Sequence, residues 1–387
     1  MSTKVGIVNL EDYNDIPTAI SAALKLIESD LTFNIFKCNN ILLKPNLLRA
    51  TIDACTQPLF IQGIIDYLKS KGISPEKISI GDSPGQIRIS ASKIAKKIGI
   101  YEICEKAGTQ FVDFENFVPI KETIENALRI KEYFVSQPVK ECDLLINLPK
   151  LKTHGEATIT GAIKNYWGII PGGLKAKYHL LGKNPEQFGD VLTDNYSWIV
   201  KNKPNRLTIY DCVKVMQGTM GPVSGPMKTW NLILTGTDEL ALDIVALKIG
   251  RFNGLKNVPH LKSAYKRGLG EGSLENIEIV GLSLDEAQNL ARKFKVPRRS
   301  ITRFASFITG RILYKTTKKI PELRKKICKK CGQCSEVCPA QAIDIQNGDY
   351  PRFLRDVCIS CLCCMEMCPQ QAIGVKARGF FGLFHSY

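Results

Sequence analysis

Eight of the fourteen cysteines in this 387-residue chain fall into two runs of identical spacing. Cys328, Cys331, Cys334 and Cys338 are followed by Pro339, and Cys358, Cys361, Cys364 and Cys368 by Pro369. Each run reads C-x-x-C-x-x-C-x-x-x-C-P, the spacing with which thiolates hold a [4Fe–4S] cluster. The offset is thirty residues at every cysteine, and it continues into Gln341-Ala342-Ile343 and Gln371-Ala372-Ile373. Three thiolates of a tight loop can take three corners of an iron–sulfur cube, but the fourth corner lies too far round for the same loop. In paired runs of this kind the distant cysteine serves the other cluster. The spacing therefore predicts two [4Fe–4S] clusters. Cys328, Cys331 and Cys334 share the first with Cys368; Cys358, Cys361 and Cys364 share the second with Cys338. Zinc is the alternative for clustered cysteines, but it favours pairs of C-x-x-C separated by longer gaps. Cys363, beside Cys364, reads as a packed thiol and not as a ligand.

Other reactive side chains gather in four short polar segments. These are Lys44-Pro45-Asn46, Gly81-Asp82-Ser83-Pro84-Gly85, Pro149-Lys150-Leu151-Lys152-Thr153-His154-Gly155, and Asp211 with the later stretch Gly218–Pro226. If residues 150–154 are extended, Lys150, Lys152 and His154 project to one side by the period of two. A helix is expected just after Gly155, carrying Lys164-Asn165. Free amides and the dipole at its amino terminus would join the lysines in an anion site. Lys44, Asn46, Lys150, Lys152, Lys164, Asn165 and Asp211 are the candidate substrate-binding residues. His154, one of four histidines and the only one in a dense polar loop, and Asp82 are the candidate proton donors. The competing readings are solvated surface lysines and a structural histidine.

These segments need elements to position them. Short apolar runs at Val5–Asn9, Ile41–Lys44, Ile78–Gly81, Leu144–Leu148, Leu207–Asp211 and Leu232–Thr235 read as strands. Between them, Ile16–Ile27, Leu59–Lys71, Ile89–Ala107, Gln187–Lys201 and Glu239–Arg251 carry helical periodicity. The alternation predicts an α/β layered domain with a largely parallel sheet. All four polar segments would then leave one carboxyl edge, where such sheets place ligands. Residues 109–143 read as an antiparallel excursion. Gly268-Leu269-Gly270-Glu271-Gly272 follows a helical pattern, not a strand, so no NAD or flavin motif is read.

Charge is uneven. Of the formal net charge of +16, residues 295–327 carry +10, the stretch from Cys328 onward +1, and the amino-terminal body +5. Within the basic segment Ile301, Phe304, Ile308 and Ile312 recur at helical spacing. Three readings stay open: a linker helix packed on the body, a docking surface for an acidic electron donor or acceptor protein, or a peripheral membrane contact. No nucleic-acid-binding signature accompanies the charge. Cluster cysteines imply a reducing compartment, no apolar run reaches eighteen residues, and the first residues lack a secretory layout. The expectation is a cytoplasmic protein.

The body resembles the DUF362 family of iron–sulfur proteins, a domain named for its unknown function. The residues that carry the resemblance are Ile41–Asn46, Gly81–Gly85, Lys150–His154, Gly161-Ala162-Ile163-Lys164-Asn165, Gly221–Pro226, Gly236–Asp243 and the second cysteine run with its doubled Cys363-Cys364. Where family members often show Gly-Asn-Gly-Pro, this chain has Gly218-Thr219-Met220-Gly221-Pro222. The expected organisation is an α/β domain at 1–296, a basic helical linker at 297–326, a small α+β ferredoxin-type domain with two clusters at 327–375, and an aromatic tail at 376–387. The expected function is an iron–sulfur oxidoreductase that passes electrons through the clusters to a small anionic substrate. The alternatives are an electron-transfer module whose large domain binds a partner or ligand, and a non-redox enzyme with structural or sensing clusters.

Overall fold

Apolar runs without polar alternation are the mark of strands covered on both faces, and β2 (Ile41–Pro45) and β7 (Leu144–Leu148) are buried at every position. Their side chains divide by parity between two apolar cores. Ile41, Leu43, Leu144, Ile146 and Leu148 enter one; Leu42 and Leu145 enter the other. A sheet between two helical layers follows. The computed structural model describes residues 3–11, 13–85, 89–218, 221–291, 293–295, 320–346 and 348–376. The chain divides into two compact units, Met1–Val296 and Pro297–Tyr387.

In the first unit β1 (Thr3–Asn9), β2, β3 (Ile78–Asp82), β4 (Gln110–Asp113), β7, β10 (Arg206–Met216), β11 (Met227–Gly236) and β12 (Ile277–Gly281) form one sheet in the order β12-β1-β11-β10-β7-β2-β3-β4. Strand β11 runs antiparallel to both neighbours, and every other pair along that order is parallel. The fold class is α/β with a largely parallel sheet, and β2, β3, β7 and β10 end at a common edge.

Local sequence explains the helices. Pro185–Asn202 starts on Asn184, whose side chain accepts from the Gln187 amide at 2.9 Å, with Pro185 in the first turn, where its missing N–H costs nothing. The expected helix at 89–107 is two helices, Ala91–Ile98 and Ile100–Ala107. Gly99 separates them at φ +89°, a left-handed cap that glycine adopts without strain.

Three expectations are corrected. In the stretch 109–143, β4 extends the sheet in parallel with β3, and only β5 (Ile120–Glu122) and β6 (Tyr133–Val135) pair antiparallel. No helix begins directly after Gly155. Instead β8 (Lys150–His154) turns into β9 (Thr158–Thr160) as a hairpin, and the helix starts at Ala162. The linker at 297–326 lies outside the described residues up to 319; of its described end, Ile320–Leu323 is strand β13 of the second unit and Lys325–Ile327 is a single 3-10 turn. Most of the aromatic tail and Thr219-Met220 also lie outside the described residues. Among the described residues no helix is long and apolar enough to cross a membrane.

The second unit repeats itself. Strand β13 pairs antiparallel with β16 (Ile373–Lys376), and β14 (Ile343–Asp344) with β15 (Arg352–Phe353). One short helix carries the third cysteine of each run, Gln333–Glu336 with Cys334 and Cys363–Glu366 with Cys364. Backbone twists repeat at the thirty-residue offset: Lys330 and Ser360, Gly332 and Leu362, and Gln341 and Gln371 all have φ between 49° and 77°.

Candidate functional site

In the ferredoxin-type unit a duplicated strand pairing sets the last cysteine of each run beside the other run. Strand β16 follows Cys368 of the second run and pairs with β13, just ahead of Cys328. Strand β14 follows Cys338 and pairs with β15, just ahead of Cys358. Each distal cysteine is thereby carried to the other run. One cavity, open to solvent, is lined by Cys328, Cys331, Cys334 and Cys368. A second, also open to solvent, is lined by Cys338, Cys358, Cys361 and Cys364. The structure thus brings together the two sets of four thiols that the spacing predicts.

The cavities suit iron–sulfur clusters chemically. Backbone amides point at sulfur in matched pairs: Lys330 N–Cys328 Sγ and Ser360 N–Cys358 Sγ at 3.4 Å, Ala342 N–Cys338 Sγ and Ala372 N–Cys368 Sγ at 3.2 Å. Such donors stabilise negative charge on thiolates and tune a cluster's potential. Cys363 packs with Val337, Cys361 and Met367 in an apolar cluster, as a packed thiol should.

At the sheet edge of the first unit, the polar residues singled out by sequence form a buried network. Lys44 and Asp82 meet at 2.8 Å, and Lys150 and Asp211 at 2.7 Å across β8 and β10. Lys152 donates to Asn46 Oδ1 and to the Ala54 carbonyl, both at 2.6 Å. Asn46 donates to Asn165 Oδ1 at 3.0 Å, and Asn165 donates to Asn147 Oδ1 at 2.7 Å. The carboxylates also hold the loops: Asp82 accepts from the amides of Leu47 and Ser83, and Asp211 from that of Gln57.

The three lysines are at most 1% exposed. A buried ammonium without a partner is very costly, which explains why each is matched inside the protein. Burial pushes the Lys44 ammonium down and the Asp82 carboxyl up, against their mutual attraction. Both shifts favour a neutral pair. The helix amino terminus is also occupied: Asp243 accepts from the amides of Ala162 at 2.7 Å and Ile163 at 3.1 Å. The anion site expected at free amides beside unpartnered lysines is therefore filled by the protein's own carboxylates and amide oxygens. Burial raises the Asp243 carboxyl to about 7.

His154 ends β8 with a fixed tautomer. Its Nδ1 accepts from the amides of Glu156 and Ala157, both at 3.1 Å, so the neutral ring carries its proton on Nε2. Burial, followed by the nearby Lys164 charge, holds its pKa well below the usual histidine range. His154 is thus a neutral N–H donor and not an imidazolium acid. Thr158, its partner in the hairpin, is β-branched yet has φ +75°. Such strain persists only where surrounding structure enforces it. Lys164 is half-buried.

Sequence reasoning missed Ser83, Glu115 and Lys175. Lys175 donates to the carbonyls of Ser83 at 2.7 Å and Pro84 at 3.0 Å, and to the Ser83 hydroxyl. Ser83 in turn donates to Glu115. Burial lowers the Lys175 ammonium to about 8. Ser83 lies inside the Gly81–Gly85 segment and was legible there, whereas Lys175 sits in a stretch with no spacing signal.

A family model described as "Domain of unknown function (DUF362)" matches residues 41–248, more than half the chain, and one described as "4Fe-4S dicluster domain" matches residues 327–373. The chain belongs to the DUF362 family. Its iron–sulfur domain supports a redox or electron-transfer role. This DUF362 chain is 28% identical over 243 residues to the thylakoid-associated protein sll1697 of Synechocystis sp., covering 61% of this chain and 70% of that protein. Among solved structures it is similar to a Thermotoga maritima protein (TM-score 0.36, 17% identity, 51% of this chain and 50% of that chain). It is similar also to the lactate racemase apoprotein from Thermoanaerobacterium thermosaccharolyticum (TM-score 0.34, 17% identity, 54% and 50%). It spans about half the length of each of these two.

Proposed function

We propose that this DUF362 protein is an iron–sulfur oxidoreductase that takes electrons from a carrier and delivers them to a small anionic molecule held at the sheet edge of its first unit. The observation that carries the redox part is the crossed lining of the two cavities, four thiols to each. When bound, each cluster supplies single electrons at low potential. The residues of the first unit would bind, orient and supply the proton. Lys164, half-buried and electrostatically coupled to His154, is suited to meet an anionic group. The Nε2–H of His154 is suited to donate a hydrogen bond to the bond being reduced. Asp82, pushed toward its protonated form by burial, is the candidate proton source, and the pairs Lys44–Asp82 and Lys150–Asp211 keep the strand ends in place.

A second reading draws on the internal pairing of Lys44, Lys150 and Lys152. A network so fully matched could serve the fold alone, leaving the first unit as a body that recognises a partner while the clusters carry electrons. One experiment separates the two. The protein is purified anaerobically, denatured, and its released small molecules are compared by mass spectrometry between wild type and Lys164→Met. Oxidoreductase chemistry predicts an anion present at near one equivalent in wild type and depleted in the variant. Equal, trace amounts in both would support the electron-transfer module.

A further inference from the structure

The two cysteine runs are copies, yet their surroundings have diverged. Between Arg324 and Cys331 the first copy carries Arg324, Lys325, Lys326, Lys329 and Lys330 with no acid. At matching positions the second copy has Leu354, Arg355, Asp356, Ile359 and Ser360. All five cations of the first copy are exposed. The ligand between them differs in the same sense, since Cys331 is exposed whereas its counterpart Cys361 is 8% exposed. Lys329 and Lys330 themselves line the first cavity.

The patch is also shaped. Tyr350 holds the ammonium groups of Lys325 and Lys330 over its ring, at 5.5 Å and 4.4 Å from the centroid. Lys330 is partly offset by Asp349 at 3.4 Å; Lys326 and Lys329 make no ion pair among the described residues. A pair of cluster cavities, one with an exposed cationic mouth and the other with a mostly apolar lining and a buried counterpart ligand, is functionally polar.

We infer that the cavity of Cys328, Cys331, Cys334 and Cys368 is the electron portal, and that the surface of Lys325, Lys326, Lys329 and Lys330 docks a small acidic electron-carrier protein over Cys331. The step is the passage of one electron from the reduced carrier to the cluster, with no bond made or broken. Opposite charge accelerates encounter and orients the carrier, while the exposed ligand gives the shortest path to the iron. This rests on the cluster half of the proposed function and is independent of any substrate at the sheet edge.

The test reads cluster reduction alone, as bleaching of visible absorbance in stopped flow. The donors are a reduced, strongly acidic ferredoxin and, separately, the methyl viologen radical cation, applied to full-length holoprotein. Lys325→Glu/Lys326→Glu, at two positions outside the cavity lining, should slow reduction by the ferredoxin about tenfold or more at low ionic strength and abolish most of its salt dependence. The same variant should be reduced by the viologen cation as fast as wild type or faster, with iron content unchanged. Arg355→Glu, beside the second cavity, should leave the ferredoxin rate within about twofold. Equal slowing by both donors would mean cluster damage and no docking role. A larger effect of Arg355→Glu, or a ferredoxin rate indifferent to Lys325→Glu/Lys326→Glu, would move the portal elsewhere. Loss of binding to a labelled oligonucleotide with ferredoxin reduction unchanged would assign the patch to nucleic acid.

Discussion

Individual residues carry the sharpest chemical content. Cys338 lies four residues after Cys334, yet it lines the cavity of the other run. Cys338→Ser should therefore remove the cluster held by Cys358, Cys361 and Cys364 and leave the first intact, halving iron per chain. Cys363→Ser should leave iron unchanged, because that thiol packs with Val337 and Met367. Loss of the first cluster in the Cys338 variant, seen by electron paramagnetic resonance, would refute the crossing. Asp243 gives a pH prediction. Its carboxyl titrates near 3.8 unfolded and at about 7 folded. A raised folded pKa contributes stability that is complete below the unfolded value and is lost as pH rises through the folded one. Relative to Asp243→Asn, wild type should lose on the order of 4 kcal/mol between pH 4 and 7. Tryptophan fluorescence can follow this, since Trp167, Trp198 and Trp230 all lie in the first unit. Parallel pH profiles would show that Asp243 is ionised at no cost.

Elements determine where those residues meet, and their legibility was unequal. Strands β2 and β7 were plain in sequence because a strand covered on both faces is built around a continuous apolar run, Ile41-Leu42-Leu43 in β2 and Leu144-Leu145-Ile146 in β7. The β8–β9 hairpin was not. Lys150–His154 reads as a polar loop by composition, and its strand form depends on pairing with β10 and β9, partners distant or unmarked in sequence. The helix was misplaced for the same reason: hairpin residues Thr158–Thr160 occupy the positions where it was expected. Glycine at the edge is a further constraint. A Cβ on Gly168 would overlap Asp82 Oδ1 and stand 2.6 Å from Lys44 Nζ. Gly168→Ala should cost about 1–3 kcal/mol by overpacking and disturb the Lys44–Asp82 pair. An unchanged melting temperature would mean that the edge adapts more freely than the buried network implies.

Across the whole molecule, the sequence was most informative where chemistry imposes spacing. Cluster ligands must sit at fixed intervals, so the eight cysteines, and the two groups of four in which they line the cavities, were readable before any fold. The polar edge was readable only as a set of segments. Lys44, Asp82, Lys150, Lys152, His154, Lys164 and Asp211 were expected to converge on one pocket; that Lys44, Lys150 and Lys152 are buried and matched internally was not expected, because burial is decided by the entire sheet. The account's central claim is that electrons held by the clusters reach a small anion at that edge. It is tested by reducing the holoprotein, removing reductant, and mixing it anaerobically with anion-exchange fractions of a protein-free extract from the source cells, while cluster reoxidation is followed in stopped flow. His154→Asn is the comparison, since asparagine can still accept from the Glu156 and Ala157 amides while removing the Nε2–H. The account predicts at least one fraction that reoxidises wild type rapidly and the variant about tenfold or more slowly, with carrier-driven reduction equal in both. Fractions that reoxidise both proteins at one rate, or none that reoxidises wild type faster than buffer, would contradict it.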